Sequence, residues 1–284
     1  MPRVFLLCLV LSITGCAQPS QSELASLQEY APLSPTESAL PKNSVPVIHV
    51  FVALCDNVNQ GIVPVSAILG NGDNPATNLY WGAAFGIKTF FSKNKDWQPV
   101  NSARASVKSP SVVLDRVAFR HSRTGAFLVA EAYRGSYIRQ ATEDFLAAAA
   151  GERGEALQVT FEGKSADIYL GGSSDVVTYI GHNGLMDFQL TSIPKKRNRE
   201  KREAIILACA SKSYFGESLR TTGAQPLLWT TNLMAPEAYI LSAAMDGWLN
   251  RESDEQIRVR AAKAYASYQR IGLRGASRLF ATGW

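Results

Sequence analysis

Short apolar runs separated by polar and glycine-rich breaks recur along most of this chain. Two of them, Val176-Val177-Thr178-Tyr179-Ile180 and Ala204-Ile205-Ile206-Leu207-Ala208, are partly β-branched and bounded by polar or glycine residues, the pattern of strands buried on both faces of a parallel sheet. Residues 47–54 form a third such run, and 111–120 and 126–133 read as further strands. Helical spacing predicts a helix over residues 79–91 capped by Asn78, and an amphipathic helix over 136–150 that ends at Gly151. Further on, a helix is expected over 216–222, a fifth strand around 227–229, and a helix opened by Pro236-Glu237 that runs to Leu249. A basic amphipathic helix pair, broken around Gly272 and Gly275, occupies 253–280. Together these elements predict an α/β domain on a mostly parallel sheet.

The first residues do not fit that domain. Arg3 precedes an apolar stretch over residues 4–13, and Ile13-Thr14-Gly15-Cys16 looks like a bacterial lipobox, whose cysteine is the point of cleavage and lipid attachment. The stretch is too short to span a bilayer as a mature helix. Ala17, rather than Asp, follows the cysteine, and the likeness to lipoproteins then implies an outer-membrane anchor in the cell envelope. Residues 17–45 are rich in Ser, Pro, Gln and Glu and read as a flexible tether. Residues 46–284 suit one α/β domain with a sizeable core.

Each of the two best runs ends on a reactive residue. The first leads into Gly181-His182-Asn183-Gly184 and the second into Cys209-Ala210-Ser211. In a parallel sheet functional groups gather beyond the carboxyl ends of the strands, so these two residues can meet there. A free thiol of pKa about 8.5 is mostly protonated at neutral pH, and a neighbouring imidazole makes the thiolate by taking its proton. Glycines beside the histidine let backbone N–H groups approach a developing oxyanion. The plainer alternatives are a hydrogen-bonded structural histidine and an inert core cysteine.

The motifs Tyr179-Ile180-Gly181-His182-Asn183-Gly184 and Ile206-Leu207-Ala208-Cys209-Ala210-Ser211 resemble those of the caspase, gingipain, clostripain and separase group of cysteine peptidases. The resemblance implies a three-layer αβα, caspase-like fold, with His182 as base, Cys209 as nucleophile, and a peptide or protein as substrate. The family usually has Gly directly after the histidine, whereas this chain has Asn183, so Asn183 and Gly184 are together the expected oxyanion and cleft residues. In that family the loop after the first strand helps form the specificity pocket, which would place Cys55 and Asp56 there. Asp56 would then favour a basic side chain, unless it is a turn-capping Asp. Thr230 would sit at the same sheet edge and line the cleft, and Asp187 is a candidate to orient the histidine. The alternatives are a non-catalytic periplasmic binding or scaffold lipoprotein with the same fold, and an amidase or acyltransferase.

With Cys8 in the signal segment and Cys16 lipidated, Cys55 and Cys209 are the thiols of the mature chain, and an oxidising compartment makes a disulfide between them a rival to catalysis. In the resembled fold the histidine strand separates theirs by two steps of about 4.8 Å, and Cα atoms beyond about 7 Å do not bridge. The net charge is +5. Much of it lies in Lys195-Lys196-Arg197-Asn198-Arg199-Glu200-Lys201-Arg202, a solvated loop without interleaved aromatics, which argues against nucleic acid. His49, His121 and His182 show no metal-ligand spacing. No metal and no cofactor are expected.

Overall fold

The computed structural model describes residues 41–102, 112–152 and 154–284. The lipobox, Cys16 and the tether up to residue 40 lie outside these residues. Residues Leu40–Trp284 cluster as one unit. Its strands are β1 (Val47–Ala53), β2 (Trp97–Ser102), β3 (Val113–His121), β4 (Phe127–Tyr133), β5 (Ala156–Phe161), β6 (Lys164–Tyr169), β7 (Val176–Ile180), β8 (Glu203–Leu207), β9 (Gln225–Thr230) and β10 (Phe280–Ala281). Its helices are α1 (Ile87–Lys93), α2 (Ile138–Ala150), α3 (Ser211–Thr222), α4 (Ala238–Leu249), α5 (Asp254–Gln269) and α6 (Leu273–Leu279).

The strands form one sheet in the order β10-β9-β8-β7-β1-β4-β3-β2-β5-β6. The pairs β4/β1, β1/β7, β7/β8 and β8/β9 are parallel, and the other five are antiparallel. The sheet is therefore mixed, which corrects the expectation of a mostly parallel one. The antiparallel pairs lie at the two flanks, β10 on β9 at one edge and the run β4-β3-β2-β5-β6 at the other, where consecutive strands reverse direction over short connections at β3/β4 and β5/β6. β5 and β6 are joined by Glu162 and Gly163, both at positive φ (49° and 72°), the twist a tight hairpin requires. β5 alternates exposed and buried positions where β1 is buried throughout, a period-two signal typical of antiparallel strands.

Successive residues of β1 belong to different apolar clusters. Ile48, Val50 and Val52 pack with Phe91 of α1, Leu241 and Met245 of α4 and Ile257 of α5. Phe51 and Ala53 pack with Phe145 and Leu146 of α2 and Phe215 and Leu219 of α3. Each such fully buried aliphatic or aromatic side chain contributes about 1.5–3 kcal/mol relative to exposure.

One predicted helix is cut short. Of the expected 79–91 helix only residues 87–91 are helical, in a helix that continues to Lys93, because the preceding chain doubles back on itself, with the Leu79 N–H on the Leu69 carbonyl and the Ile87 N–H on the Tyr80 carbonyl. A Cβ on Gly82 would strike the Ala76 carbonyl oxygen, and one on Gly86 would strike the Trp81 backbone. Asn78 caps no long helix. Its side chain accepts from the Cys55 N–H at 3.0 Å and donates to the Cys55 carbonyl at 2.8 Å, pinning the loop to the end of β1. By contrast α2 stops at Gly151 with φ 87°, as its glycine dictates. α3 begins at Ser211, earlier than periodicity suggested. α5 opens with a Ser253/Gln256 capping box.

The amino ends of the parallel strands are held by an unusual residue. Arg202 is 2% exposed, and its guanidinium donates to the carbonyls of Gly172 (2.7 Å) and Ala149 (3.2 Å) and to Asn198 Oδ1 (2.7 Å). It thus closes the carboxyl end of α2, where the helix leaves carbonyls without partners. Burial pushes its pKa down. Replacing Arg202 by Ala strands buried acceptors, each costing about 1–3 kcal/mol. We expect Arg202→Ala to lower the unfolding free energy by about 2–4 kcal/mol in urea titrations, and Arg199→Ala, at an exposed position, to change it by less than about 0.5 kcal/mol.

Candidate functional site

The carboxyl ends of β7 and β8 carry the two reactive residues. At the end of β7 the chain must turn sharply: Gly181 has φ 148°, and a Cβ there would sit 2.7 Å from the Ala53 carbonyl oxygen. Only glycine fits. The turn leaves His182 7% exposed, with its backbone carbonyl held by the Tyr179 hydroxyl at 2.8 Å. Its Nε2 lies 2.7 Å from Asp187 Oδ2, the carboxylate following the short turn Gly184–Met186. The same oxygen accepts the N–H of Gly61 at 3.2 Å, so the loop after β1 helps hold the pair. An Nε2–H donated to Asp187 leaves Nδ1 as the basic nitrogen.

Cys209 lies just past β8 and before α3. The next residue, Ala210, is left-handed (φ 47°, ψ 35°), a conformation that costs a residue with a Cβ about 1–2 kcal/mol. It is maintained by its surroundings. The Ala210 N–H donates to the Asn232 carbonyl at 2.9 Å, and the next N–H, of Ser211, donates to Thr230 Oγ1 at 3.1 Å. Ser211 Oγ in turn donates to the Ile206 carbonyl at 2.9 Å and accepts from the Thr230 N–H at 2.9 Å. Thr230 is fully buried and its hydroxyl also bonds the Ala208 carbonyl. It builds the turn from within rather than lining a cleft.

Asn183 joins the two loops. Its Nδ2 donates to the Cys209 carbonyl at 2.6 Å and its Oδ1 accepts from the Leu185 N–H at 3.1 Å. It is fully buried. Gly184 has a packing reason to be glycine, since a Cβ would lie 2.6 Å from the Phe188 ring. The Cys209 thiol, half-buried, accepts from the Met234 N–H at 3.4 Å and donates to the Met234 carbonyl at 3.6 Å. Among the described residues no hydrogen bond joins it to the His182 ring.

Cys55 and Asp56 stand elsewhere in this arrangement. Among the described residues Cys55 and Cys209 are free thiols, and β7 lies between their strands. Cys55 is fully buried against Tyr80, and burial pushes its thiol from 9.0 up to about 11, partly offset by a hydrogen bond with Tyr80. Asp56 caps its own turn: Oδ1 accepts the N–H groups of Val58 (2.9 Å) and Asn59 (3.1 Å), and Oδ2 accepts from Asn59 Nδ2 (2.8 Å). A Cβ on Gly72 or Gly135 would strike this carboxylate. At 5% exposed it is walled in, and the specificity role expected of it gives way to the turn-capping one.

The Tyr80 hydroxyl is pushed well upward by burial, with further upward contributions from the Cys55 thiol, to which it hydrogen-bonds, and from Cys209 and Tyr179. Neither Tyr80 nor Met234 carried a motif: the first reaches the site through the doubled-back loop, and the second acts through its backbone. Among the described residues no three His, Cys, Asp or Glu side chains converge as metal ligands.

Two expectations follow. Gly181→Ala destabilises by about 1–3 kcal/mol, whereas Gly216→Ala, inside α3 where a Cβ meets nothing within 4 Å, stabilises by about 0.5–1 kcal/mol; urea unfolding of the two variants reads opposite signs. The second concerns alkaline pH. The unfolded chain gives up the Cys55 proton at lower pH than the folded one, so this stabilisation is whole below pH 9.0 and is lost as pH rises toward about 11. The urea midpoint therefore falls across that window, with a shallower slope in Cys55→Ala.

Comparison with protein-family models, with curated proteins and with solved structures finds no match for this chain.

Proposed function

We propose that this chain is a lipoprotein of the bacterial cell envelope, anchored to the outer membrane through Cys16, whose three-layer, caspase-like domain is a cysteine endopeptidase. The observation that carries the reading is the 2.6 Å hydrogen bond from Asn183 to the Cys209 carbonyl, which draws the histidine loop against the cysteine turn while Asp187 fixes the imidazole. The membrane attachment rests on the lipobox. Among the described residues no helix is long and apolar enough to cross a membrane.

In the proposed reaction the thiol leaves the Met234 carbonyl and passes its proton to Nδ1 of His182, whose other nitrogen stays bonded to Asp187. The thiolate sulfur bonds to the substrate carbonyl carbon, and the carbonyl π electrons move onto oxygen. Because Asn183 holds Cys209, the N–H of Gly184 is assigned to that oxyanion. His182 then returns its proton to the amine as the C–N bond breaks. Water, deprotonated by the same imidazole, hydrolyses the thioester and restores the thiol. No cofactor takes part.

A second reading, a binding or scaffold lipoprotein on the same fold, is favoured by one observation. The two hydrogen bonds of the Cys209 thiol go to the Met234 peptide, a contact that also suits a structural cysteine. Peptide-library hydrolysis together with site-resolved iodoacetamide labelling separates the two. For a peptidase, Cys209→Ala abolishes cleavage, His182→Ala slows both cleavage and Cys209 labelling by about 100-fold or more, and Asp187→Asn lowers kcat about 10-fold with little change in KM. An absence of cleavage, with Cys209 labelling indifferent to His182→Ala, would leave the scaffold reading.

A further inference from the structure

The basic run lies at a particular place on the fold. The parallel strands begin in register, with Val47 beside Phe127, Val176 beside Glu203 and Glu203 beside Gln225, so their amino ends form one edge. The run crosses this edge. The Arg197 N–H donates to the carbonyl of Ala150, the last residue of α2, and the Lys196 N–H donates to the carbonyl of Thr221 near the end of α3. The chain enters the domain here too: Lys42 lies 3.6 Å from Glu200, and Asn43 bonds the backbone of Tyr169 and Ser173. Lys195, Lys196, Arg197, Arg199 and Lys201 are all exposed. Among the described residues Glu152 pairs with Arg197 and Glu200 with Lys42, and Asp175 stands at the same edge with its carboxylate accepting the Val47 N–H. Lys195, Lys196, Arg199 and Lys201 have no ion-pair partner among the described residues, and a surface depression runs through the strip between Glu152 and Arg197.

We propose that this edge docks on an anionic lipid bilayer, with the start of the domain on the membrane side and the Cys209–His182 edge, at the opposite ends of the strands, turned to solvent. Charge complementarity is the driving force: a basic group close to an anionic leaflet gains about fivefold in partition, within a Debye length of the surface. Residues 191–202 contain no aromatic side chain on which bases would stack, which sets a bilayer above a nucleic acid as partner. Docking is independent of the peptidase reading. Only the meaning of the outward-facing edge rests on it.

The test uses residues 17–284, which carry neither the lipid nor the apolar stretch over 4–13, and vesicles of phosphatidylcholine with and without phosphatidylglycerol, read by co-sedimentation. Docking predicts salt-sensitive binding that favours the anionic vesicles. Lys195→Gln/Arg199→Gln/Lys201→Gln weakens it about a hundredfold, whereas Lys93→Gln/Lys95→Gln/Lys164→Gln, with the same net charge, keeps most of it. Equal binding to both vesicles, equal loss in both triple variants, or strip-dependent binding to a DNA duplex in preference to vesicles overturns the proposal. Iodoacetamide labelling of Cys209 on bound vesicles should match its rate in solution, and a slower rate overturns the orientation. A Cys209 that never labels counts against the peptidase reading, and docking is then decided by sedimentation alone.

Discussion

Complete burial of β1 is the constraint from which the rest of the structure follows. All seven of its residues are buried between β4 and β7, so no position of the strand is left to carry a solvated functional group. Chemistry on such a sheet is confined to strand ends. The strand starts and the strand finishes therefore acquire different characters: one edge carries the basic run and the entry of the chain, the other the histidine loop and the cysteine turn.

Buried polar groups make that division rigid. His49, in β1, accepts the Gly171 N–H at Nδ1 and faces Glu131 through Nε2, each at 3.2 Å. Arg116 bonds the same glutamate and reaches Glu155, so a charge that would be costly alone is satisfied on more than one side. Arg202, Asn78 and the Ser211–Thr230 pair act similarly, each tying a loop or helix end to a strand end. These contacts cost desolvation, and they specify a single arrangement where apolar packing alone would tolerate several.

At the cysteine edge the same economy produces two opposing tendencies. The left-handed Ala210 and the Asn183 bond present Cys209 beside the histidine loop. The Met234 peptide meanwhile occupies both hydrogen-bonding roles of the thiol. A reaction through Cys209 has to exchange that contact for one with His182, and the balance between the two partners decides whether the sulfur behaves as a nucleophile or as part of the core.

Period and composition alone placed β1, β4, β7, β8 and β9, α2 and its stop at Gly151, and the position of His182 and Cys209 at neighbouring strand ends, because uninterrupted apolar runs and glycine punctuation are local signals. The hairpin of β5 and β6 was not predicted from the sequence, although β5 alternates exposed and buried positions and the turn Glu162-Gly163 follows it. Other features are not local. Asn78 has the composition of a helix cap, yet its amide is claimed by Cys55, which only the doubling back of the loop brings near. Asp56 and Thr230 stand near the expected edge in sequence order, but side-chain direction turns both inward. The approach of Met234 to Cys209 and of Lys42 to Glu200 joins segments far apart in the chain, and such pairings leave no periodic trace. The sequence by itself determined which segments are strands and where reactive residues fall along them. Tertiary packing decided which of those residues face one another, because that depends on crossings and backbone hydrogen bonds between distant parts of the chain.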